Sequence, residues 1–220
     1  MNIYTLVEGE KGAKKVYEHW IPLVNSSLNK VDRIDDLASD NFVVYAAGGY
    51  PDYLTLINDA AEDIAATPNV DRLVIAVDSE DYSYNDKRAE IQTHVDNLVV
   101  GCDVYIVVQH FCFETWALGN RKFGPRNPIN SKLISYREIH NVFQEDPEDL
   151  PPIPEKRLNR AQFAHKYLRA MINDRNSRLT YNKNRPIPLL HDSYFNEVNS
   201  RMVDQNHIQS FDDFITAFSA

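Results

Sequence analysis

The chain has 220 residues, a formal net charge of −9 and a sequence pI near 5.2. This length supports one substantial core, or one core with a smaller appendage, and argues against two or more full domains. The acidic balance argues against a protein that coats nucleic acid by charge alone. The apolar runs are far shorter than the roughly 20 residues that span a bilayer, and the amino terminus lacks a signal-peptide pattern, so we expect a soluble, cytoplasmic protein without membrane contact.

Charge and cysteine content add two further constraints. Residues 1–119 hold 8 Lys/Arg against 20 Asp/Glu, whereas residues 120–220 hold 15 against 12. An acidic half is thus followed by a half with basic stretches. Cys102 and Cys112 lie in or beside the most apolar part of the chain without CxxC spacing, so we expect reduced structural thiols and not a zinc site.

The first half of the chain alternates β-type runs with helical patterns. Residues 2–7 form a short β-type run that ends before Gly9, and residues 12–23 read as a helix. A second run at 41–46 stops at Gly48 and Gly49, and Pro51 opens a helical pattern that continues to Ile64. A third run at 72–77 is apolar throughout, and a fourth follows at 103–108, with a helix between them and a helix beginning near 111–118. This alternation predicts an α/β fold with a mostly parallel four-stranded sheet flanked by helices.

The second half follows a looser pattern. Residues 120–131 and 144–154 are rich in Pro, Gly, Asn or acids and read as loops. Residues 155–175 predict a helix with one apolar face, and another helix is expected to begin near Asp192. We therefore predict a domain over residues 1–119 and a loop-rich, mainly helical extension over 120–220 that packs on it.

Acidic residues follow two of the predicted strands. Glu8 ends the first strand, and Asp78 and Glu80 end the third. The carboxyl ends of parallel strands share one edge of a sheet, where ligands commonly bind. Carboxylates crowded at that edge repel one another unless a cation or a shared proton compensates them, and Mg²⁺ prefers oxygen ligands. The pattern therefore favours a magnesium site.

These motifs resemble those of a known family. The segment Leu6-Val-Glu-Gly9, the Gly48-Gly49 turn and Asp78-Ser-Glu-Asp81 resemble the topoisomerase–primase (Toprim) signature of a glutamate followed by glycine and then an Asp-x-Asp. The segment from Phe113 to Leu118 further resembles compact bacterial Toprim-like proteins, related to the overcoming-lysogenization-defect nucleases, that occur in anti-phage defence. The resemblance covers roughly residues 1–119.

The resemblance implies a site and an activity. Glu8 matches the glutamate of the signature, proposed as a metal ligand or acid/base group, and Asp78 matches the first aspartate. Glu80 stands where the second aspartate is usual, so either Glu80 or Asp81 is the ligand, and Glu114 is a supplementary one. The implied function is a nuclease that cleaves DNA or RNA with Mg²⁺, or Mn²⁺ as a substitute, as an effector of bacterial anti-phage defence. The catalytic set is then Glu8, Asp78, Glu80 and a lysine near the scissile phosphate, for which Lys132 is assigned and Lys166 and Lys183 remain open.

The basic segment 155–188 is the predicted contact for nucleic acid. It holds nine Lys/Arg against two acids, with two tyrosines among them, which suits a phosphate backbone and base stacking. The residues assigned to this contact are Arg157, Arg160, Lys166, Arg169, Lys183 and Arg185.

Simpler interpretations stay open for each feature. Glu8 is also explained as an acid at a helix start, and the acidic segment 78–81 as a solvated cap. The basic segment is equally typical of a solvated helix face. Phe111, Phe113 and Trp116 are expected to pack in the core. The second function considered is a non-catalytic Toprim-fold module that docks to a partner such as an ATPase sensor, and the sequence leaves monomer and homodimer open.

Overall fold

The computed structural model describes residues 1–9, 11–49, 51–67, 69–153 and 158–220. The chain forms two compact units. The first comprises Met1–Val77, Asn85–Val108 and Asp213–Ala220, and the second comprises Asp78–Tyr84 and Gln109–Asp212. These units interleave along the chain and do not follow the predicted division at residue 119, because the acidic segment after the third predicted strand belongs to the second unit and the carboxyl terminus to the first.

The first unit is built on a parallel sheet of five strands. In chain order they are β1 (Ile3–Val7), β2 (Asn29–Lys30), β3 (Asn41–Ala46), β4 (Arg72–Asp78) and β5 (Asp103–Gln109), and their order in the sheet is β2-β3-β1-β4-β5. The four predicted strands are confirmed as β1, β3, β4 and β5. The prediction of four strands in total is incomplete, because β2 has only two exposed residues and leaves no pattern in the sequence.

Eight α-helices lie in the described part of the chain: α1 (Lys11–Val24), α2 (Asp52–Ala66), α3 (Tyr84–Val95), α4 (Phe113–Leu118), α5 (Ser131–Ile139), α6 (Arg160–Arg175), α7 (Asp192–Gln205) and α8 (Phe211–Phe218). Single 3₁₀ turns occur at Ile34–Asp36, Pro147–Asp149 and Ile187–Leu189. None of the helices within the described ranges is both long enough and apolar enough to cross a bilayer.

Aromatic packing closes the core of the first unit. Tyr17 and Trp20 of α1 are fully buried. Phe214 of α8 meets the Tyr17 ring edge-on at 5.1 Å between centroids and the Trp20 ring at 6.3 Å. Such edge-to-face pairs add to the hydrophobic gain of burial. The carboxyl-terminal helix is therefore part of this core, a role that the sequence pattern did not reveal.

The second unit is mainly helical. Its core includes Phe111, Phe113 and Trp116, which are buried as expected. Helix α6 begins at Arg160, since Asn159 and Gln162 form a reciprocal capping box that satisfies the first backbone N–H groups. Residues 154–157 lie outside the described residues. Cys112 is buried and Cys102 half-buried, and neither forms a disulfide, which confirms the expectation of free thiols.

Candidate functional site

The acidic segment after β4 is held in place by three hydrogen bonds within the second unit. Asp78 Oδ1 accepts from the backbone N–H of Phe113 at 3.2 Å. Glu80 Oε2 accepts from Asn159 Nδ2 at 2.7 Å, and Asp81 Oδ1 accepts from the backbone N–H of Arg160 at 3.0 Å. The starts of α4 and α6 thus position the three carboxylates, and Asp78 and Asp81 accept there from the first backbone N–H group of each helix.

Glu80 has an unusual backbone conformation. Its φ of 54° lies in the left-handed region, which costs energy for a residue with a long side chain. The backbone N–H of Glu80 donates to the Phe111 carbonyl at 2.8 Å, which helps to maintain this conformation. Strained backbone of this kind concentrates at functional sites, and it turns the Glu80 carboxylate toward Asn159.

Glu114 is a buried carboxylate in the same unit. It lies on α4, is 2% exposed, and accepts a hydrogen bond from Tyr181 Oη at 2.9 Å. Burial and this carboxylate together raise the pKa of Tyr181 well above its ordinary value, so the phenol remains a donor. Glu114 is therefore oriented by a neutral donor, the Tyr181 phenol.

Lys183 compensates these acids. The carboxylate of Glu114 raises the pKa of Lys183 above its usual range, with further contributions from Asp78 and Glu80. Lys183 is exposed overall, but its ammonium lies in the field of three carboxylates contributed by β4, the following loop and α4. Of the three lysines left open by the sequence, Lys183 is thus the one that interacts with the acidic residues.

Lys132, the lysine assigned to catalysis, lies elsewhere in the second unit. It lines a cavity of about 440 Å³ together with Lys166 and Arg169. Its catalytic role stays a prediction, and its position favours ligand binding.

His165 is a site residue that sequence reasoning missed. Its Nε2 is buried without a hydrogen-bond partner among the described residues. The ring packs edge-on against Tyr181 at 5.7 Å between centroids, and burial lowers its pKa in spite of the nearby Glu114 carboxylate. A buried nitrogen without a partner is costly. Its position among Glu114, Tyr181 and Lys183 depends on tertiary contacts, so no local pattern in the sequence signals it.

Glu8 belongs to the first unit. Its backbone N–H donates to the Ala76 carbonyl at 2.8 Å, as expected for a residue that continues β1 beside β4. The next residue, Gly9, has a φ of 107° and donates to the carbonyl of Gly48, which has a φ of 63°. The two glycine features of the resemblance therefore meet directly, and both need the conformational freedom of glycine.

The described residues contain no group of three or more His, Cys, Asp or Glu side chains arranged to hold a metal ion. Asp78, Glu80, Asp81 and Glu114 belong to one compact unit, and Glu8 to the other. The predicted five-carboxylate site is thus not seen as a preformed cage. Mg²⁺ commonly uses only one or two carboxylates, with water and substrate phosphates as its other ligands.

The residues assigned to nucleic acid do not form one patch. Lys166 and Arg169 lie together on α6 and line the cavity with Lys132. Arg160 is paired with Asp81 at 3.5 Å and covers the Phe111 ring, so its charge is partly used inside the unit. Lys183 interacts with the acids, Arg185 is exposed in a turn after it, and Arg157 lies outside the described residues.

A half-buried acid, Glu148, has a structural role in the second unit. It accepts hydrogen bonds from the backbone N–H and the hydroxyl of Ser210. Ser210 Oγ in turn accepts from Trp116 Nε1 at 2.7 Å and from the His110 backbone at 3.2 Å. Burial raises the pKa of Glu148 to about 8.

This pKa predicts a pH-dependent stability. An unfolded glutamate titrates near pH 4.3, so between about pH 4 and pH 8 the folded state binds more protons than the unfolded state. The free energy of unfolding should fall as pH rises through that window, lowering the melting temperature on the order of several degrees. Glu148→Gln should flatten the profile measured by differential scanning fluorimetry, whereas Glu138→Gln on the exposed side of α5 should not. Identical profiles for Glu148→Gln and wild type would contradict this role.

The fold and site define an α/β protein with a parallel sheet, an acidic segment at the carboxyl end of β4, and a helical unit with a basic cavity. Comparison of the chain with family models, with curated proteins and with solved structures finds no match.

Proposed function

We propose that this protein is a Mg²⁺-dependent nuclease that cleaves phosphodiester bonds in DNA or RNA, of the Toprim class and active in bacterial anti-phage defence. The observation that carries the proposal is the cluster in the second unit, where hydrogen bonds orient Asp78, Glu80 and Glu114 and where all three carboxylates interact electrostatically with Lys183. Carboxylates beside a lysine match what phosphodiester hydrolysis requires, namely groups that hold a cation and a positive charge for the phosphate.

The donors in this cluster suit a magnesium ion. Asp78 and Glu80 supply hard oxygen ligands from one short segment, and their hydrogen bonds to α4 and to Asn159 orient them. The buried Nε2 of His165 lacks a partner among the described residues, which is the kind of polar atom that a bound water or ligand satisfies. When bound, the ion would neutralise the phosphoryl oxygens and lower the pKa of an attacking water.

The protein's own side chains have separate tasks in this proposal. Lys183 would contact a non-bridging phosphate oxygen, since an ammonium acts as a compact point charge toward phosphate. Glu114 would hold Lys183 in its charged state, and Tyr181 would hold Glu114. His165, kept neutral by burial, would accept a hydrogen bond from water at its Nε2. The role of Glu8, the glutamate of the resemblance, is tested with a variant of that residue.

The activity is tested with labelled single-stranded DNA, duplex DNA and RNA, each incubated with Mg²⁺, with Mn²⁺ or with EDTA. We expect cleavage of at least one substrate with either metal and none in EDTA. Glu8→Gln, assayed in parallel, shows whether that carboxylate takes part. Cleavage that is equally fast in EDTA, or absent with both metals on all substrates, would contradict the proposal.

One observation favours the second function, a non-catalytic module that docks to a partner such as an ATPase sensor. Lys183 already interacts electrostatically with Glu114, Asp78 and Glu80, and the described residues hold no preformed metal cage. The discriminating measurement is a thermal melt with and without millimolar Mg²⁺. Binding at 100 times the dissociation constant stabilises a folded site by about 2.7 kcal/mol, so a nuclease site should raise the melting temperature and a docking module should not.

A further inference from the structure

A cavity in the second unit has an unusual lining. It measures about 440 Å³ and is bounded by Asn130, Lys132, Tyr136, Lys166, Arg169, Ala170, Asn173 and Thr180. Three of these residues are cations and none is an acid. Its size falls within the range of small-molecule sites.

The fold explains why the three cations converge. Tyr136 of α5 packs edge-on against Phe163, at 5.2 Å between ring centroids, and in a tilted arrangement against Tyr167, at 5.6 Å, which holds α5 against α6. Because Phe163 and Tyr167 take the buried face of α6, Lys166 and Arg169 project from the other side. Lys132 lies in the first turn of α5, two residues after its Asn130 cap, and completes the lining.

These cations are not used to stabilise the protein. Within the described ranges, the side chains of Lys132, Lys166 and Arg169 form no ion pair and no hydrogen bond. The neighbouring acid Asp174 is used for backbone hydrogen bonds, since its Oδ1 accepts from the N–H groups of Ile129 and Asn130. Like charges three residues apart on a helix repel, so stability alone does not account for the cluster.

Helix α6 contributes residues both to the cavity and to the surroundings of the acidic cluster. His165 immediately precedes Lys166 on α6, and Arg169 lies one turn further along the helix. The His165 ring packs against Tyr181, which donates to Glu114. A strand held in the cavity would therefore be anchored by the same helix that lines the proposed catalytic cluster.

We propose that this cavity binds the terminal phosphate of a nucleic-acid strand, which deepens the proposed nuclease function and rests on it. A terminal phosphate carries about −1.5 to −2 charges at neutral pH, whereas a backbone phosphate carries one. Three unpaired cations in a concave site match the more highly charged group, and the amides of Asn130 and Asn173 and the hydroxyl of Thr180 add polar groups to the lining. The protein would then select strand ends that bear a phosphate.

The test measures binding and not cleavage. Fluorescence anisotropy in EDTA compares one labelled oligonucleotide bearing a phosphate at its 5′ end, at its 3′ end or at neither. We expect one phosphorylated form to bind about tenfold more tightly than the unphosphorylated strand, as charge-assisted contacts to phosphate are strong. Millimolar inorganic phosphate should displace this form selectively. Equal affinities, or displacement of all strands alike, would overturn the proposal.

Variants locate the effect in the cavity. Lys132→Ala, Lys166→Ala and Arg169→Ala should each remove most of the preference for a terminal phosphate, and Lys166→Arg should retain it. Arg178→Ala is the matched control, because it removes the same charge from an exposed position outside the lining. A preference that survives all three alanine variants would overturn the assignment. Because the binding assay contains no metal, it is independent of cleavage. A protein that selects phosphorylated ends but never cleaves nucleic acid would refute the proposed nuclease function and support the phosphate site.

Discussion

Asp78→Asn should reduce metal-dependent cleavage by about 10²–10³-fold, the size of effect that follows removal of one key electrostatic contact in an active site. The substitution removes a negative charge and keeps the shape. An asparagine oxygen can still accept the hydrogen bond from the Phe113 backbone, so the start of α4 should stay in place. The loss would then reflect metal and phosphate chemistry and not a change of fold.

Glu80→Gln should have a similar effect for the same reason. A glutamine oxygen can still accept from Asn159, and the strained backbone of the residue does not depend on the charge. Asp204→Asn and Glu138→Gln are matched controls at exposed positions of α7 and α5. Single-turnover rates and melting curves should be measured on all four. Full activity of both site variants, or equal losses in the controls, would contradict the assignment of Asp78 and Glu80.

Arg201→Met should cause the largest loss of stability. Arg201 is fully buried and donates to the carbonyls of Val142, Glu145 and Gly119, with a further contact to His207. Methionine fills a similar volume but has no N–H groups, so three carbonyls lose a donor, and the hydrogen bonds to two of them, Val142 and Gly119, are buried. Each unsatisfied buried group costs about 1–3 kcal/mol, and the summed loss should be about 3 kcal/mol or more.

The two tryptophans allow this loss to be measured in one unit. Trp20 lies in the first unit and Trp116 in the second. In a Trp20→Phe background, the fluorescence of Trp116 reports urea unfolding of the second unit alone. The midpoint should fall sharply for Arg201→Met and stay close to that of the background for Arg178→Met, an exposed arginine. An unchanged midpoint would show that the three carbonyls find other partners.

The sheet was largely predictable because its signals are local. The four longer strands are apolar runs, of which β1, β3 and β4 end at or near a glycine or an acid. The pairing of Gly9 with Gly48 follows from the edge that parallel strands share. Two helices were missed for physical reasons. Helix α5 has no clear apolar periodicity, and the eight-residue α8 is stabilised by its packing on α1.

The candidate site was only partly predictable. The acidic residues within 78–81 form a cluster that the sequence alone shows at the end of a predicted strand. Glu114 and Lys183 lie 69 positions apart in the sequence, and the packing of the second unit allows their electrostatic interaction. Spacing along the chain therefore does not select Lys183 over Lys132. The position of His165 in the site could not be predicted for the same reason. The division at residue 119 followed a change in composition, whereas the units follow contacts that cross this position.

Crystals soaked in Mn²⁺ provide the most direct test of the metal site, because the anomalous scattering of manganese identifies the ion and its ligands. We expect an anomalous peak within about 2–2.3 Å of carboxylate oxygens of Asp78 and Glu80, and its loss in Asp78→Asn. A map without a peak at these carboxylates, from protein that cleaves nucleic acid in the same Mn²⁺ concentration, would contradict it.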